Sequence, residues 1–153
     1  MNVDYSQWPI VKIKYKEVVL NDDIFEEYKI QFLTILKKCK DLNQKCLLII
    51  DLLDMKKVPM KYMMKQRKFH NKINDHTIRY IQTIFIILKN AAVRNILKVF
   101  VNMSKKKQTF YFLKDLNEAY KIIENKFLIE NKILKDNLPE KNINENNYSE
   151  ELI

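Results

Sequence analysis

Glycine is absent from the sequence. The phosphate-binding loops of Walker A and dinucleotide-binding proteins need glycine because their backbone approaches the phosphates closely, so neither type of loop is present. The chain contains sixteen asparagines instead. Asparagine tolerates a left-handed backbone better than most residues, so we expect it to occupy some of the turn positions that glycine usually takes.

Cysteine and histidine are scarce, which limits the disulfides and metal sites that the chain can form. Cys39 and Cys46 are the only cysteines, and because each lies in an apolar stretch we expect buried free thiols. His70 and His76 are six residues apart, which fits neither the i,i+3 nor the i,i+4 spacing of metal ligands on a helix. The sequence therefore predicts no metal and no cofactor.

Patterns of catalytic residues are also missing. The chain has seven serine and threonine residues, and none lies in the setting of an activated nucleophile. No cysteine and histidine stand at a spacing that suggests a catalytic pair. The sequence predicts a protein without enzymatic activity.

Long apolar runs are lacking as well. None approaches the roughly 18 residues that are needed to span a bilayer. The first ten residues, MNVDYSQWPI, have neither the basic leader nor the apolar core of a signal peptide. We therefore expect a cytoplasmic protein without a transmembrane segment.

Positive charge is what the sequence has in excess. The net charge is +9, and because residues 134–153 hold two lysines and five acids, residues 1–133 carry +12. Such a charge favours contact with an anionic membrane surface or with nucleic acid. Aromatic residues do not share the lysine-rich helical face that follows Pro59, so base stacking has little support and we do not expect nucleic acid to be the partner.

Two periodicities alternate along the chain. Short apolar runs indicate strands, and apolar residues at helical spacing indicate helices. Their order, β-α-β-α-β-α-β-α, predicts one α/β domain over residues 1–134, with helices packed on a largely parallel sheet. Residues 135–153 are polar and are predicted to form a flexible tail. The predicted strands cover residues 10–20, 45–53, 82–89 and 108–114, and the predicted helices cover residues 21–40, 59–74, 90–105 and 116–134.

Individual segments carry further predictions. Lysines alternate with apolar residues in the strand at 10–20, which indicates an edge strand. Asn21 or Asp22 is expected to cap the first helix, and Asp115 the last, where Glu118 completes a capping-box pattern. The third helix is expected to turn these residues toward the core: Ala92, Ile96, Val99, Phe100 and Met103.

Two aspartates follow a buried strand in the stretch LLIIDLLDM. Carboxylates at the carboxyl end of a parallel strand lie where open α/β sheets usually bind ligands. A phosphorylated aspartate of the response-regulator type would need a second acidic pair after the first strand, and Asp22 and Asp23 follow a poorly matched, lysine-rich strand. We interpret Asp51 and Asp54 as caps of backbone amides in the following turn.

The helix after Pro59 has a lysine-rich face and several methionines. The lysines are spaced by 4, 3 and 4 residues, and the face is either a solvated surface or a site for phosphates or anionic lipid headgroups. The methionines are interpreted as core residues rather than as a flexible binding surface. The lysines are Lys61, Lys65, Lys68 and Lys72, and the methionines of the region are Met55, Met60, Met63 and Met64.

Residues 8–124 resemble a known family. LLIIDLLDMKKVP looks like a strand that ends in aspartate, with a loop leading to a helix. IQTIFIILKNAAVRNILKVFVNMSKKKQTFYFLKDLNEAYKII is similar to the closing half of that family, with an arginine near the start of one helix and an EA pair, Glu118 and Ala119, in the last. The family is the STAS-like group of sulfate-transporter and anti-sigma-factor-antagonist domains, especially its SpoIIAA-like branch.

The resemblance implies a sheet of four or five strands, mostly parallel with a mixed edge, and helices mainly on one side. It also implies a protein that binds a protein partner and is not an enzyme. In bacterial members, phosphorylation of a serine or threonine at the start of the helix after the aspartate-ended strand breaks that binding. No serine or threonine occurs here between Thr34 and Thr77, so this switch does not carry over. Through a broader CRAL-TRIO-like similarity, other relatives bind lipids or small apolar molecules in a cleft.

Two functions follow as hypotheses. The first is a non-catalytic protein-interaction or regulatory module without a phosphorylation switch. The second is a carrier of lipids or small apolar ligands, whose basic residues contact anionic headgroups. The partner surface of the first is expected around the loop at residues 54–60 and the following helix, at Asp54, Lys56, Lys57, Met60, Lys61, Lys65 and Lys68.

Overall fold

A computed structural model describes residues 1–16, 19–55, 59–102 and 108–128 of the protein. Within these ranges the chain forms an α/β fold with one five-stranded sheet. The strands are β1 (Asn2–Gln7), β2 (Ile10–Lys14), β3 (Cys46–Asp51), β4 (Ile81–Ile87) and β5 (Phe110–Leu113). The helices are α1 (Asp22–Asp41), α2 (Met60–Lys72), α3 (Asn74–Tyr80), α4 (Ala91–Asn102) and α5 (Leu116–Ile123), and α5 continues as a π-helix over Glu124–Leu128. The predicted tail at residues 135–153 lies outside the described residues.

The strands lie side by side in chain order, β1-β2-β3-β4-β5. β1 and β2 are antiparallel, and the pairs from β2 to β5 are all parallel. Right-handed crossovers that always step in the same direction place their helices on the same face of a sheet. α1 to α4 do pack on one face, whereas α5 packs on the other. The predicted α/β class and mostly parallel sheet are confirmed.

β3 is the strand that is covered most completely. All six of its residues are buried. Leu48 and Ile50 belong to the larger core cluster, which they share with α1, α2 and α3. Leu47 and Ile49 belong to a smaller cluster under α5, with Ala119 among its members. The prediction of a strand covered on both faces is confirmed.

α1 shows how the chain ends a helix without glycine. The Asn21 side chain accepts a hydrogen bond from the Ile24 amide at 2.9 Å, which confirms the predicted N-cap. At the other end Asn43 has a φ of 48°, in the left-handed region that glycine usually fills. The amide of Asn43 donates to the Lys40 carbonyl, and the next amide donates to the Cys39 carbonyl. Asparagine therefore takes a glycine position here, as predicted.

β1 was not predicted, and it makes the predicted edge position of β2 wrong. β1 pairs with β2 and itself forms the edge of the sheet. Val3 and Tyr5 of β1 pack against the core, and the Lys38 ammonium of α1 lies 4.6 Å from the ring centroids of Tyr5 and Trp8. The Trp8 indole nitrogen also donates to the Gln44 side chain at 2.7 Å. These contacts join residues that are 30 or more positions apart, so local patterning does not reveal them.

The segment predicted as one helix over 59–74 is longer and broken. α2 ends at Lys72, and α3 follows and continues directly into β4. Ile73, at the break, is almost completely buried. Its carbonyl accepts a hydrogen bond from the Thr77 hydroxyl at 3.1 Å. Ile73 therefore packs into the core at the junction of the two helices.

The inward face of α4 was predicted wrongly. Ile96 and Val99 are 44% and 60% exposed, and Ala92 is exposed too. Val93 and Leu97 pack against the core instead. α4 has apolar residues on more than one face, so helical periodicity alone allows two orientations. Of the other residues in that prediction, Met103 lies outside the described residues, and so does the side chain of Phe100.

Substitutions on α4 should distinguish its two faces. We expect Leu97→Ala to lower the free energy of unfolding by about 2 kcal/mol, because it deletes packed methyl groups. Ile96→Ala, on the exposed face, should change it by no more than about 0.5 kcal/mol. Urea unfolding of both variants measures the difference. An equal loss in the two variants would contradict this orientation of α4.

Candidate functional site: a cavity between the sheet and α2 to α4

A cavity of about 240 Å³ lies between the helices α2 to α4 and the face of the sheet on which they pack. One wall is apolar and comes from three strands and α4. The strand residues are part of the core, so this wall is built into the fold. The wall consists of Ile50, Ile84, Ile86, Leu97, Val101 and Phe110.

The facing wall is polar and comes from α2 and α3. Its four residues in α2 are spaced by one, three and one positions, which keeps them on one side of that helix, and Asn74 is the first residue of α3. They are partly exposed or exposed, and four of the six residues of the apolar wall are partly exposed as well, whereas Ile50 and Ile84 are buried. Both walls therefore reach the solvent, and Ile50 and Ile84 mark the buried part of the cavity. The polar wall consists of Gln66, Arg67, His70, Asn71 and Asn74.

Arg67 is the charged residue of this cavity. Among the described residues that line it, none is an aspartate, a glutamate or a lysine. Within the described ranges, the Arg67 guanidinium has no ion pair and no hydrogen bond. The cavity thus carries a net positive charge at its polar wall.

His70 is held neutral by its surroundings. Its Nε2 lies 2.7 Å from the Tyr28 hydroxyl. The rings of Phe32 and Phe69 have their centroids 4.8 and 5.2 Å from that of the imidazole. Burial among these groups lowers the pKa of His70 from 6.5 to about 4, because the charged imidazolium would lose its hydration. Burial likewise raises the pKa of the Tyr28 hydroxyl, so both groups are uncharged at neutral pH.

The partner surface predicted from sequence lies away from this cavity. The described members of that set do not line it, and Lys56 and Lys57 lie outside the described residues. Lys61 and Lys65 both form ion pairs with Asp22, in the first turn of α1. The predicted lysine face is therefore partly neutralised by α1, while Lys68 on the same helix is exposed.

The two aspartates after β3 have different roles. Asp51 is buried, and its carboxylate accepts a hydrogen bond from the Leu53 amide at 3.0 Å, which confirms the predicted cap. Asp54 instead forms an ion pair with Lys14 at 3.1 Å. Its predicted capping role is not confirmed. Neither aspartate lines the cavity.

The methionines divide into two groups. Met55 and Met63 are buried and line the cavity, so the core prediction is confirmed for them. Met60 and Met64 are 55% and 41% exposed, so the same prediction is wrong for these two. The exposed pair lies near the start of α2 and adjoins the lysines.

Sequence reasoning missed the polar wall of the cavity. Polar residues on one helical side usually indicate a solvated surface, and the lysines of α2 gave the same signal. The recurrence of amide side chains at Gln66, Asn71 and Asn74 was the available clue. The sequence does not show the gap between α2 and the sheet, and this gap is what makes these amide side chains part of a cavity.

Comparison of the chain with models of protein families finds no match, and comparison with curated proteins finds none either. The STAS-like resemblance therefore stays a prediction from sequence patterns. In the described ranges, no cluster of three or more histidines, cysteines, aspartates or glutamates is arranged to hold a metal ion. None of the helices in the described part of the chain combines the length and apolarity that a membrane crossing requires.

The neutral state of His70 predicts a pH dependence of stability. The folded pKa is about 4 and the unfolded pKa is 6.5, so the unfolded chain binds more protons between these values. The contribution of His70 is therefore complete above pH 6.5 and is lost as the pH falls toward 4. From pH 7 to pH 5 we expect the free energy of unfolding to fall by about 2 kcal/mol from this residue.

His70→Gln is the matched control, since carboxylates titrate in both proteins. The loss between pH 7 and pH 5, measured by urea unfolding, should be smaller in the variant by about 2 kcal/mol. Equal pH profiles would show that His70 is protonated in the folded protein at pH 5.

Proposed function

We propose that the protein binds a small, mainly apolar molecule in the cavity between the sheet and α2 to α4, and that it acts as a non-catalytic carrier or ligand-responsive module. The observation that carries the proposal is the cavity itself. It has an apolar wall that includes core residues and a facing wall of polar residues. This division is typical of small-molecule sites, in which apolar surfaces give affinity and a few polar groups give orientation.

The size of the cavity sets the size of the ligand. An apolar cavity of about 150 Å³ accepts benzene, which has six non-hydrogen atoms. By proportion, 240 Å³ accommodates roughly ten non-hydrogen atoms. A phospholipid or another two-chain lipid is far larger. The carrier function is therefore proposed for small ligands and not for whole membrane lipids.

The expected affinity is modest. Burial of ten CH₂-sized groups contributes about 8 kcal/mol, at about 0.8 kcal/mol each. Association costs at least about 4 kcal/mol in lost translational and rotational freedom. At most about 4 kcal/mol remains, which corresponds to a Kd of about 1 mM or higher. Binding should therefore be sought with soluble probes at high concentration.

The STAS-like resemblance supports a non-catalytic role. The mixed edge at β1-β2 and the packing of α1 to α4 on one face agree with the sheet that this resemblance implies. Regulation by phosphorylation of the helix after β3 is not part of the proposal, because residues 35–76 contain no serine or threonine. We propose instead that binding of a ligand in the cavity is the signal to which the protein responds.

Filling the cavity tests the proposal. Val101→Trp places a large side chain at the cavity wall, so we expect it to abolish binding of 3-phenyl-1-propanol, a water-soluble and mainly apolar probe with ten non-hydrogen atoms. Val99→Trp makes the same substitution on the exposed face of α4 and should bind like the unaltered protein. Isothermal titration calorimetry measures both, and binding should have a negative heat-capacity change because apolar surface is buried.

The outcomes separate clearly. Loss of binding in Val101→Trp alone supports a ligand site in the cavity. Binding that persists in Val101→Trp, or that is absent from the unaltered protein, contradicts it. Thermal unfolding of each variant without the probe shows whether the fold is retained.

A second candidate function, binding of a protein partner, is favoured by the exposed methionines. Met60 and Met64 are 55% and 41% exposed on α2, beside the exposed Lys68. Methionine is adaptable and common on binding surfaces. This proposed surface keeps Asp54, Met60, Lys61, Lys65 and Lys68 of the predicted set, with Lys61 and Lys65 already paired to Asp22.

A double substitution tests the partner surface. Met60→Ser with Lys68→Glu alters two exposed side chains, so the fold should be retained. We expect affinity capture from the source cell to lose a specific partner with this variant. Lys37→Glu with Val99→Ser is the control, because it changes one exposed cation and one exposed apolar residue elsewhere. Identical captured proteins for all three baits would contradict a partner site on α2.

A further inference from the structure

We propose that the ligand of the cavity is a small amphipathic monocarboxylate, with its chain against the apolar wall and its carboxylate at Arg67. The inference rests on the proposed ligand-binding function and adds the chemical class of the ligand. It is carried by the juxtaposition of an apolar wall with a guanidinium that pairs with no group in the described part of the chain.

The charge of the lining residues favours an anion. Arg67 is the one charged side chain among the described residues of the cavity wall. No carboxylate of the described lining opposes it, in contrast to Lys61 and Lys65, which both pair with Asp22. A guanidinium presents donors in a planar fork that matches the two oxygens of a carboxylate. The carboxylate of a ligand could therefore pair with a guanidinium that forms no ion pair with any described protein group.

The position of Arg67 makes this pairing physically reasonable. Arg67 and Gln66 are partly exposed, and Asn71 is exposed, whereas Tyr15 and Ile84 are buried. A carboxylate at this end keeps part of its hydration, which reduces the large cost of burying an isolated charge. The apolar chain then extends toward the buried part of the apolar wall, at Ile50 and Ile84. The carboxylate of the ligand would thus contact the polar wall, and its apolar chain would contact the apolar wall.

The amide side chains of the polar wall add further donors. Gln66, Asn71 and Asn74 line the cavity on the same side as Arg67, and each amide can donate two hydrogen bonds. Within the described part of the chain their side chains make no hydrogen bond. They are therefore free to orient toward the head of a ligand. His70 is neutral beside them, so Arg67 is the source of positive charge among the described lining residues.

The volume limits the chain length. Roughly ten non-hydrogen atoms correspond to a carboxylate group and a chain that brings the total to eight carbons. Octanoate meets this limit. Octanamide has the same number of non-hydrogen atoms and nearly the same shape, but it has no charge. The two molecules thus form a matched pair that isolates the contribution of the carboxylate.

The experiment compares octanoate and octanamide at pH 7.5 by isothermal titration calorimetry. We expect the unaltered protein to bind octanoate about tenfold more tightly, because a charge-assisted hydrogen bond is stronger than a neutral one. Arg67→Gln should reduce this preference to less than about threefold while octanamide still binds. Arg67→Lys should keep part of the preference, since it keeps the charge but loses the planar fork.

Lys68→Gln is the control for general surface charge. Lys68 is exposed, adjoins Arg67 in sequence and does not line the cavity, so this variant should keep the full preference for octanoate. Equal loss in Lys68→Gln and Arg67→Gln would overturn the assignment to Arg67. Thermal unfolding of each variant establishes that the fold is intact.

Failure of this inference differs from failure of the proposed function. If octanamide and 3-phenyl-1-propanol bind but octanoate binds no more tightly, or if its preference survives in Arg67→Gln, the monocarboxylate is wrong and the cavity remains a ligand site. If octanoate, octanamide and 3-phenyl-1-propanol all fail to bind, the proposed ligand-binding function is itself wrong.

Discussion

Burial of β3 on both faces is the constraint on which the rest of the structure depends. Its six buried residues require helices above and below the sheet. Chain-order strand pairing then sends α1 to α4 to one face and leaves α5 for the other. Helices have round cross-sections, so α2, α3 and α4 leave a gap where they cross the sheet. The cavity is this gap, and Ile50 of β3 forms part of its wall.

Electrostatic pairing decides which basic residues of α2 remain available. Asp22, at the start of α1, forms ion pairs with Lys61 and Lys65, which links the two helices and removes two cations from the exposed lysine face. Asp54 is similarly paired with Lys14. Net charge is therefore a poor guide to the binding surface of this protein. The position of each acid matters more, and the cavity lacks one among its described lining residues.

The sequence predicts this fold best where the deciding signals are local. β3 and β4 are continuous apolar runs, and α1 and α5 carry their caps at Asn21 and Asp115, so each was found. β1 has six residues, and its contacts include Lys38, which is distant in sequence, and it was missed. The α4 face and the polar wall of the cavity were missed for the same reason. In both cases, the packing of neighbouring elements chooses among faces that the sequence pattern leaves equivalent.

An arginine that has no partner among the described residues, at the edge of an apolar cavity, is tolerable without a ligand and useful with one. Arg67 is partly exposed, so water hydrates its guanidinium and leaving it unpaired costs little. A fully buried cation in the same place would destabilise the empty protein strongly. When a ligand closes the cavity, it excludes water and strengthens any charge pairing at the edge. Because Arg67 is partly exposed, the protein is stable without a ligand, and the occupied cavity can still distinguish a charged ligand from a neutral one.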